Sequence, residues 1–209
     1  MKKSVYNNKP ISEQDLTDYI CTEYKAVKGV WTITDVKDTV GITEPLLQIE
    51  LGDEDDNDCT LVAFTSVIRQ FIADSTIAAK DIYSTVFRIA SKYGYKKSWG
   101  TNPIFMKRIL DESLAEYGIK RSTRFGLMKN VGVSIKTIQR LIGSELFALS
   151  LWSDNRGYYK DHTITICGLR EFKVKNKKYY FLKVMDGWNK ELMYLDFQKL
   201  SCICSVNYI

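Results

Sequence analysis

Three side chains stand where nucleophilic chemistry would need them. Cys59 opens the stretch CTLVAFTSVIRQFIA, whose apolar positions 61, 64, 67, 68, 71 and 72 fit a buried helix. A cysteine in the first turn of a helix feels the positive end of the helix dipole. That favours the thiolate, and the thiolate is the nucleophile. His162 begins an alternating segment, HTITIC, about a hundred residues later. Asp186 ends the strand-like run YYFLKVMDGW. A thiol nucleophile needs a base to take its proton, and the base needs a third group to fix its tautomer and orientation. A cysteine at a helix start, facing a histidine and a carboxylate on neighbouring strands, meets that need across a cleft. Each residue also has a plain structural role open to it. Cys59 fits a small core residue, His162 a hydrogen-bonded core histidine, and Asp186-Gly187 a turn.

His162 is the single histidine in 209 residues. Chemistry built on several histidines is therefore excluded, including HExxH zinc hydrolysis and the Cys2His2 finger. Cysteines stand at 21, 59, 167, 202 and 204, an odd number with no CxxC pair. They suggest neither a zinc site nor a disulfide framework, so no metal and no cofactor are expected. Unpaired thiols predict a reducing, cytoplasmic setting. The opening MKKSVYNNKPISEQ lacks the apolar core of a signal peptide. No apolar run approaches the ~18 residues of a membrane span, so no membrane partner is expected. The net charge is +5, but the lysines are scattered, and Lys173, Lys175, Lys177 and Lys178 fit a solvated hairpin tip. Nucleic acid is not an expected partner on that footprint.

The acidic block Asp53-Glu54-Asp55-Asp56-Asn57-Asp58 precedes the cysteine. It imitates the start of a calcium loop, but Asp58 replaces the loop glycine and Phe64 stands where the closing glutamate belongs. A solvated loop is the expectation, with Asp58 capping the next helix. Like charge beside Cys59 predicts a raised thiol pKa.

The elements that must hold these residues read as helices first and strands last. Helical spacing covers 12–27, with Ser12 as cap, then 59–72, 77–93, 103–117 after Asn102-Pro103, and a short stretch from Ser134 to Gly143. Residues 30–50 read as extended. After Gly143 the period changes. LFALSLW (146–152) is a short apolar run suited to a central strand, HTITIC alternates, and 169–174 and 178–185 flank a turn at Asn176. A last pair covers about 191–197 and 201–208. The fold class is α+β, with a helical half at 46–143 and an antiparallel sheet half at 144–209. Residues 1–45 read as an N-terminal extension, a helix plus an extended segment.

Order and local context resemble the papain-like cysteine peptidase superfamily, in particular its compact bacterial branch of double-glycine, or bacteriocin-leader, peptidases. The likeness rests on DCTLVAFTSVI, on IQRLIGSELFALSLWSDNRGYYKDHTITICGL leading into His162, and on YYFLKVMDGW. It spans about 46–197. The resemblance implies a papain-like fold with Cys59 as nucleophile, His162 as general base and then acid, and Asp186 orienting the imidazole. It also implies a glutamine upstream of the cysteine that donates to the oxyanion. Gln48 is the only one between Gln14 and Cys59, eleven residues before it. Trp188 is implied as cleft lining that shields the His–Asp pair. The chain departs from the branch at Thr60, where a glycine is common, and at Gly143-Ser144-Glu145, where Gly-x-Pro is common.

The function this predicts is a cysteine peptidase or amidase acting on peptide or amide bonds through a thioester. An acyltransferase or transpeptidase with the same triad fits equally well. Thr60, the acidic block and the distance of Gln48 from Cys59 leave open a third reading, an inactive pseudo-peptidase that binds a peptide in the cleft.

Overall fold

A computed structural model describes residues 9–27, 31–39, 44–52, 57–72, 76–121, 123–128, 135–142, 146–152, 158–159, 161–200 and 203–208. Asp53, Glu54, Asp55, Asp56 and Cys202 lie outside them, as do the glycine at 143 and the serine at 134. The chain order is α1 (Leu16–Glu23), β1 (Trp31–Asp38), α2 (Gln48–Leu51), α3 (Cys59–Arg69), α4 (Ala79–Lys92), α5 (Met106–Glu116), β2 (Arg124–Met128), α6 (Ile135–Leu141), β3 (Phe147–Trp152), β4 (His162–Val174), β5 (Lys177–Met185), β6 (Met193–Asp196) and β7 (Ile203–Tyr208).

The strands among the described residues join one antiparallel sheet in the order β2-β7-β3-β4-β5-β6, with β1 also pairing β4. β3 is central, as its unbroken apolar run predicts. β4 carries the architecture. Its first residues pair with β3, from Leu151 opposite His162 to Phe147 opposite Ile166. Beyond Gly168 the same edge pairs with β1, from Asp38 opposite Gly168 to Trp31 opposite Val174. The change of partner falls at a bulge, where register with β5 shifts between Ile166 and Gly168. A Cβ on Gly168 would stand 2.3 Å from Asp38 Oδ1 and 3.0 Å from the Lys37 main-chain O, so a larger residue there would force β1 or the Asp38 side chain to shift.

Alternation along the strands gives the sheet two apolar faces. Phe147, Leu149, Leu151, Ile164, Ile166, Leu182, Val184 and Leu195 share a core with Ile138 and Ile142 from α6 and the residue after it. Leu146, Ala148, Cys167 and Met185 face the other way and share a core with α3, α4 and α5. Farther along that side, Phe172, Phe181 and Tyr194 pack on Leu16 and Ile20 of α1. α3 is apolar on most sides because it lies between the sheet and the other helices, and every residue from 60 to 68 is buried.

The mixed helix and antiparallel sheet architecture is as expected, but its layout along the chain is less segregated. β1 comes from the N-terminal segment and β2 from the helical part of the sequence, and both enter the sheet. In the segment read as an N-terminal extension, β1 pairs with β4, and α1 packs on Phe172, Phe181 and Tyr194 of the sheet in a cluster of its own. Gln48 lies in a helical turn, where the sequence suggests extended chain. Ser12 accepts from Asp15 N–H (3.1 Å) one turn ahead of α1, which begins four residues later than predicted. Asn102 caps as expected, accepting from Ile104 N–H at 3.1 Å, but it opens a 3-10 turn that runs into α5. No helix among the described residues is long and apolar enough to cross a membrane.

Candidate active site

Packing of α3 against β3 and β4 decides what meets what. Cys59 occupies the first position of α3 and His162 the first position of β4, at the same end of that interface. The two side chains lie close enough for the charge of each to act on the other. Nε2 of His162 donates to the main-chain carbonyl of Asp186 at 2.7 Å, which leaves Nδ1 for the thiol. The ring is 3% exposed and packs against two aromatic rings, Tyr159 and Trp188, which also stack on each other at 5.3 Å. Tyr159 stacks on it at 5.2 Å and 5°, and Trp188 lies 4.0 Å away, tilted by 32°. Trp188 is itself 45% exposed.

Asp186 reaches the imidazole differently from the sequence-based expectation. Its carboxylate is 1% exposed and accepts four hydrogen bonds, none of them from the ring. Oδ1 takes Trp188 N–H (3.0 Å) and Asn189 N–H (2.8 Å). Oδ2 takes Tyr159 O–H (2.7 Å) and Asn189 Nδ2 (2.6 Å). The carboxylate thus shapes the 186–189 turn and fixes Tyr159, while the peptide carbonyl of the same residue holds the imidazole. Gly187 makes the turn possible at φ +78°, a left-handed conformation that side chains disfavour.

Charge in the pair runs opposite to the expectation from the acidic block. Burial pushes the Cys59 thiol up, but the His162 charge and hydrogen bond outweigh it, helped by the main chain and hydroxyl of Thr163, and the thiol is held below its ordinary value. Burial pushes His162 down, but the Cys59 charge and hydrogen bond, then the Asp186 carbonyl, raise it above its ordinary value. Both shifts favour a thiolate–imidazolium pair. Cys167, buried on β4 without an imidazole beside it, is pushed up to about 12 by desolvation. Cys59 is partly exposed, Cys167 is not.

Asp58 does not cap α3. It is 0% exposed, and its carboxylate turns to other donors: Gln48 Nε2 to Oδ1 at 2.5 Å and Tyr83 O–H to Oδ2 at 2.6 Å. The first N–H to find an acceptor within α3 is that of Val62, on Asp58 O at 3.0 Å, so the N–H groups of Cys59, Thr60 and Leu61 stand ahead of the helical ladder. Gln48 is tied to both sides of the site. Its N–H donates to Gly187 O at 2.9 Å, and its amide nitrogen is held by the residue before Cys59. Its Oε1 is buried with no hydrogen-bond partner among the described residues, a state that costs about 1–3 kcal/mol.

The structure therefore gathers Cys59, His162, Asp186, Gln48 and Trp188 at one end of the sheet. Thr60, where the resembling branch favours glycine, pairs its hydroxyl with Thr163 at 2.9 Å, and Thr163 with Ser150 at 3.0 Å, knitting α3 to β4 and β3. Sequence reasoning missed Tyr159, Asn189, Thr163 and Tyr83. Tyr83 carried a usable signal: a tyrosine on the buried stripe of α4 needs a partner for its hydroxyl. Among the described residues no group of three or more His, Cys, Asp or Glu side chains could hold a metal ion. The chain matches no protein-family model and no curated protein at a significant level.

Proposed function

We propose that the chain is a papain-like cysteine hydrolase acting on peptide or amide bonds. The observation that carries this reading is the Cys59–His162 pair, with the thiol lowered and the imidazole raised at a partly exposed helix start. The Cys59 thiolate attacks the carbonyl carbon, and a sulfur–carbon bond forms. The oxyanion is met by the Cys59 N–H and the Gln48 amide. The imidazolium gives its Nδ1 proton to the leaving amine as the carbon–nitrogen bond breaks. Water then attacks the thioester, His162 takes the water's proton, and the acid leaves as the thiolate returns.

Acyl transfer to an amine uses the same steps with an amine in place of water. Incubating the protein with a pool of short peptides, with and without an added amine, separates the two by product mass. The expected result is an acyl adduct on Cys59, trapped in acid, absent in Cys59→Ser and in His162→Ala. Equal reactivity of Cys59, Cys21 and Cys167 towards iodoacetamide would overturn the reading and favour a peptide-binding module without catalysis.

A further inference from the structure

We infer that Asp58 is a positioning residue that fixes which end of the Gln48 amide faces the nucleophile, with Tyr83 holding Asp58 in place. The inference rests on the hydrolase reading above and deepens it. An amide has a donor end and an acceptor end of nearly equal shape, and only the donor end can stabilise an oxyanion. Gln48 presents Nε2 to Asp58 Oδ1 at 2.5 Å and leaves its own Oε1 buried and unpartnered. Turning the amide over would press Oε1 against the carboxylate, acceptor on acceptor. The carboxylate therefore locks the nitrogen at the side of α3 where Cys59 begins, and the orphaned oxygen is the visible cost of that lock.

The surroundings are built for it. Tyr83 reaches from α4 to hold Oδ2 at 2.6 Å. Gly52 clears the space: a Cβ there would stand 2.3 Å from Asp58 Oδ2 and 2.7 Å from the Tyr83 hydroxyl. On the other side, Gly187 O holds the Gln48 main chain at 2.9 Å, and a Cβ on Gly187 would meet Gln48 Oε1 at 3.4 Å. Consecutive carbonyls of one turn, Asp186 and Gly187, thus position the imidazole and the glutamine together.

The test uses two reagents on the full chain. Iodoacetamide reads the thiolate and needs no oxyanion site. p-Nitrophenyl acetate acylates the thiol through a tetrahedral oxyanion. Gln48→Ala and Asp58→Ala are each expected to slow Cys59 acylation about 10- to 100-fold, and the double variant to be no slower than Gln48→Ala alone. Iodoacetamide rates and their pH profile stay within about 2-fold of wild type throughout. Asp58→Asn restores acylation to within about 3-fold, since its oxygen still accepts from Gln48 and its nitrogen can donate to Tyr83. If Asp58→Ala fails to fold, Tyr83→Phe takes its place, slowing acylation about 3- to 10-fold in wild type and not at all in Gln48→Ala. Losses that multiply in the double variant, or wild-type acylation in the single, would overturn the inference. An unreactive Cys59 in the unaltered protein would instead sink the hydrolase reading itself.

Discussion

Replacing Asp186 by asparagine separates two ways of holding the imidazole. In an arrangement where a carboxylate holds the ring, losing its charge leaves the wrong tautomer and costs about 10⁴-fold in rate. Here the ring is held by the main-chain carbonyl at 2.7 Å, and asparagine keeps that carbonyl. The side chain loses one acceptor oxygen of two, each of which takes two donors. If the new NH₂ takes the Oδ2 place, the Tyr159 hydroxyl can turn to accept from it and the Asn189 amide can flip. What is lost is charge assistance to these bonds, about 1–2 kcal/mol in stability. For a chain of this length that lowers Tm by roughly 2–8 °C. The Asp186 charge also supports the raised His162, so the alkaline limb of Cys59 alkylation moves to lower pH. We expect alkylation and acylation near pH 7 within about 3-fold of wild type, alongside the lowered Tm. A loss of 10³-fold or more in a folded variant would refute the reasoning and return the carboxylate to the imidazole.

The pH dependence of acylation is a bell. The reactive pair is lost on the acid side as the thiolate takes a proton, below the ordinary thiol value of ~8.5, and on the alkaline side as the imidazolium loses one, above the ordinary ~6.5. Stopped-flow rates across pH 4 to 10 (roughly the span of these groups) check both limbs. Trp188→Ala uncovers the imidazole, relieves the desolvation that lowers its pKa, and moves the alkaline limb further up; an unmoved limb counts against the shielding role. Gly168→Ala forces a Cβ to 2.3 Å from Asp38 Oδ1 and 3.0 Å from Lys37 O at the β1–β4 junction. Its expected cost is about 1–3 kcal/mol by denaturant titration, with Cys59 alkylation unchanged because the clash lies at the far side of the bulge.

What was legible in the sequence follows from what periodicity reports. The apolar run after Asp58 gives a buried helix, and the alternation after Asp161 gives a strand, so Cys59 and His162 land at element starts in both readings. Antiparallel pairing across Asn176 is equally local. β1 lies in the stretch read as extended, though its pairing with β4 is long-range, while β2 was hidden because Arg124–Met128 exists as a strand through β7. Main-chain roles left no trace either. Nothing in MDGW says that the carbonyl of Asp186, not its carboxylate, meets the ring. Asp58 looks like a cap by position, and only the approach of Gln48 and Tyr83 from other elements gives it a different set of donors.

Titration of Cys59 tests the account most directly. Thiolate absorbance near 240 nm, taken as the difference between wild type and Cys59→Ser, isolates this thiol from the other four cysteines. The account predicts a midpoint below the ordinary ~8.5, rising to or above that value in His162→Gln, since no second histidine can replace the partner. A wild-type midpoint at or above ~8.5, unmoved by His162→Gln, would contradict the ion pair on which the proposed chemistry stands.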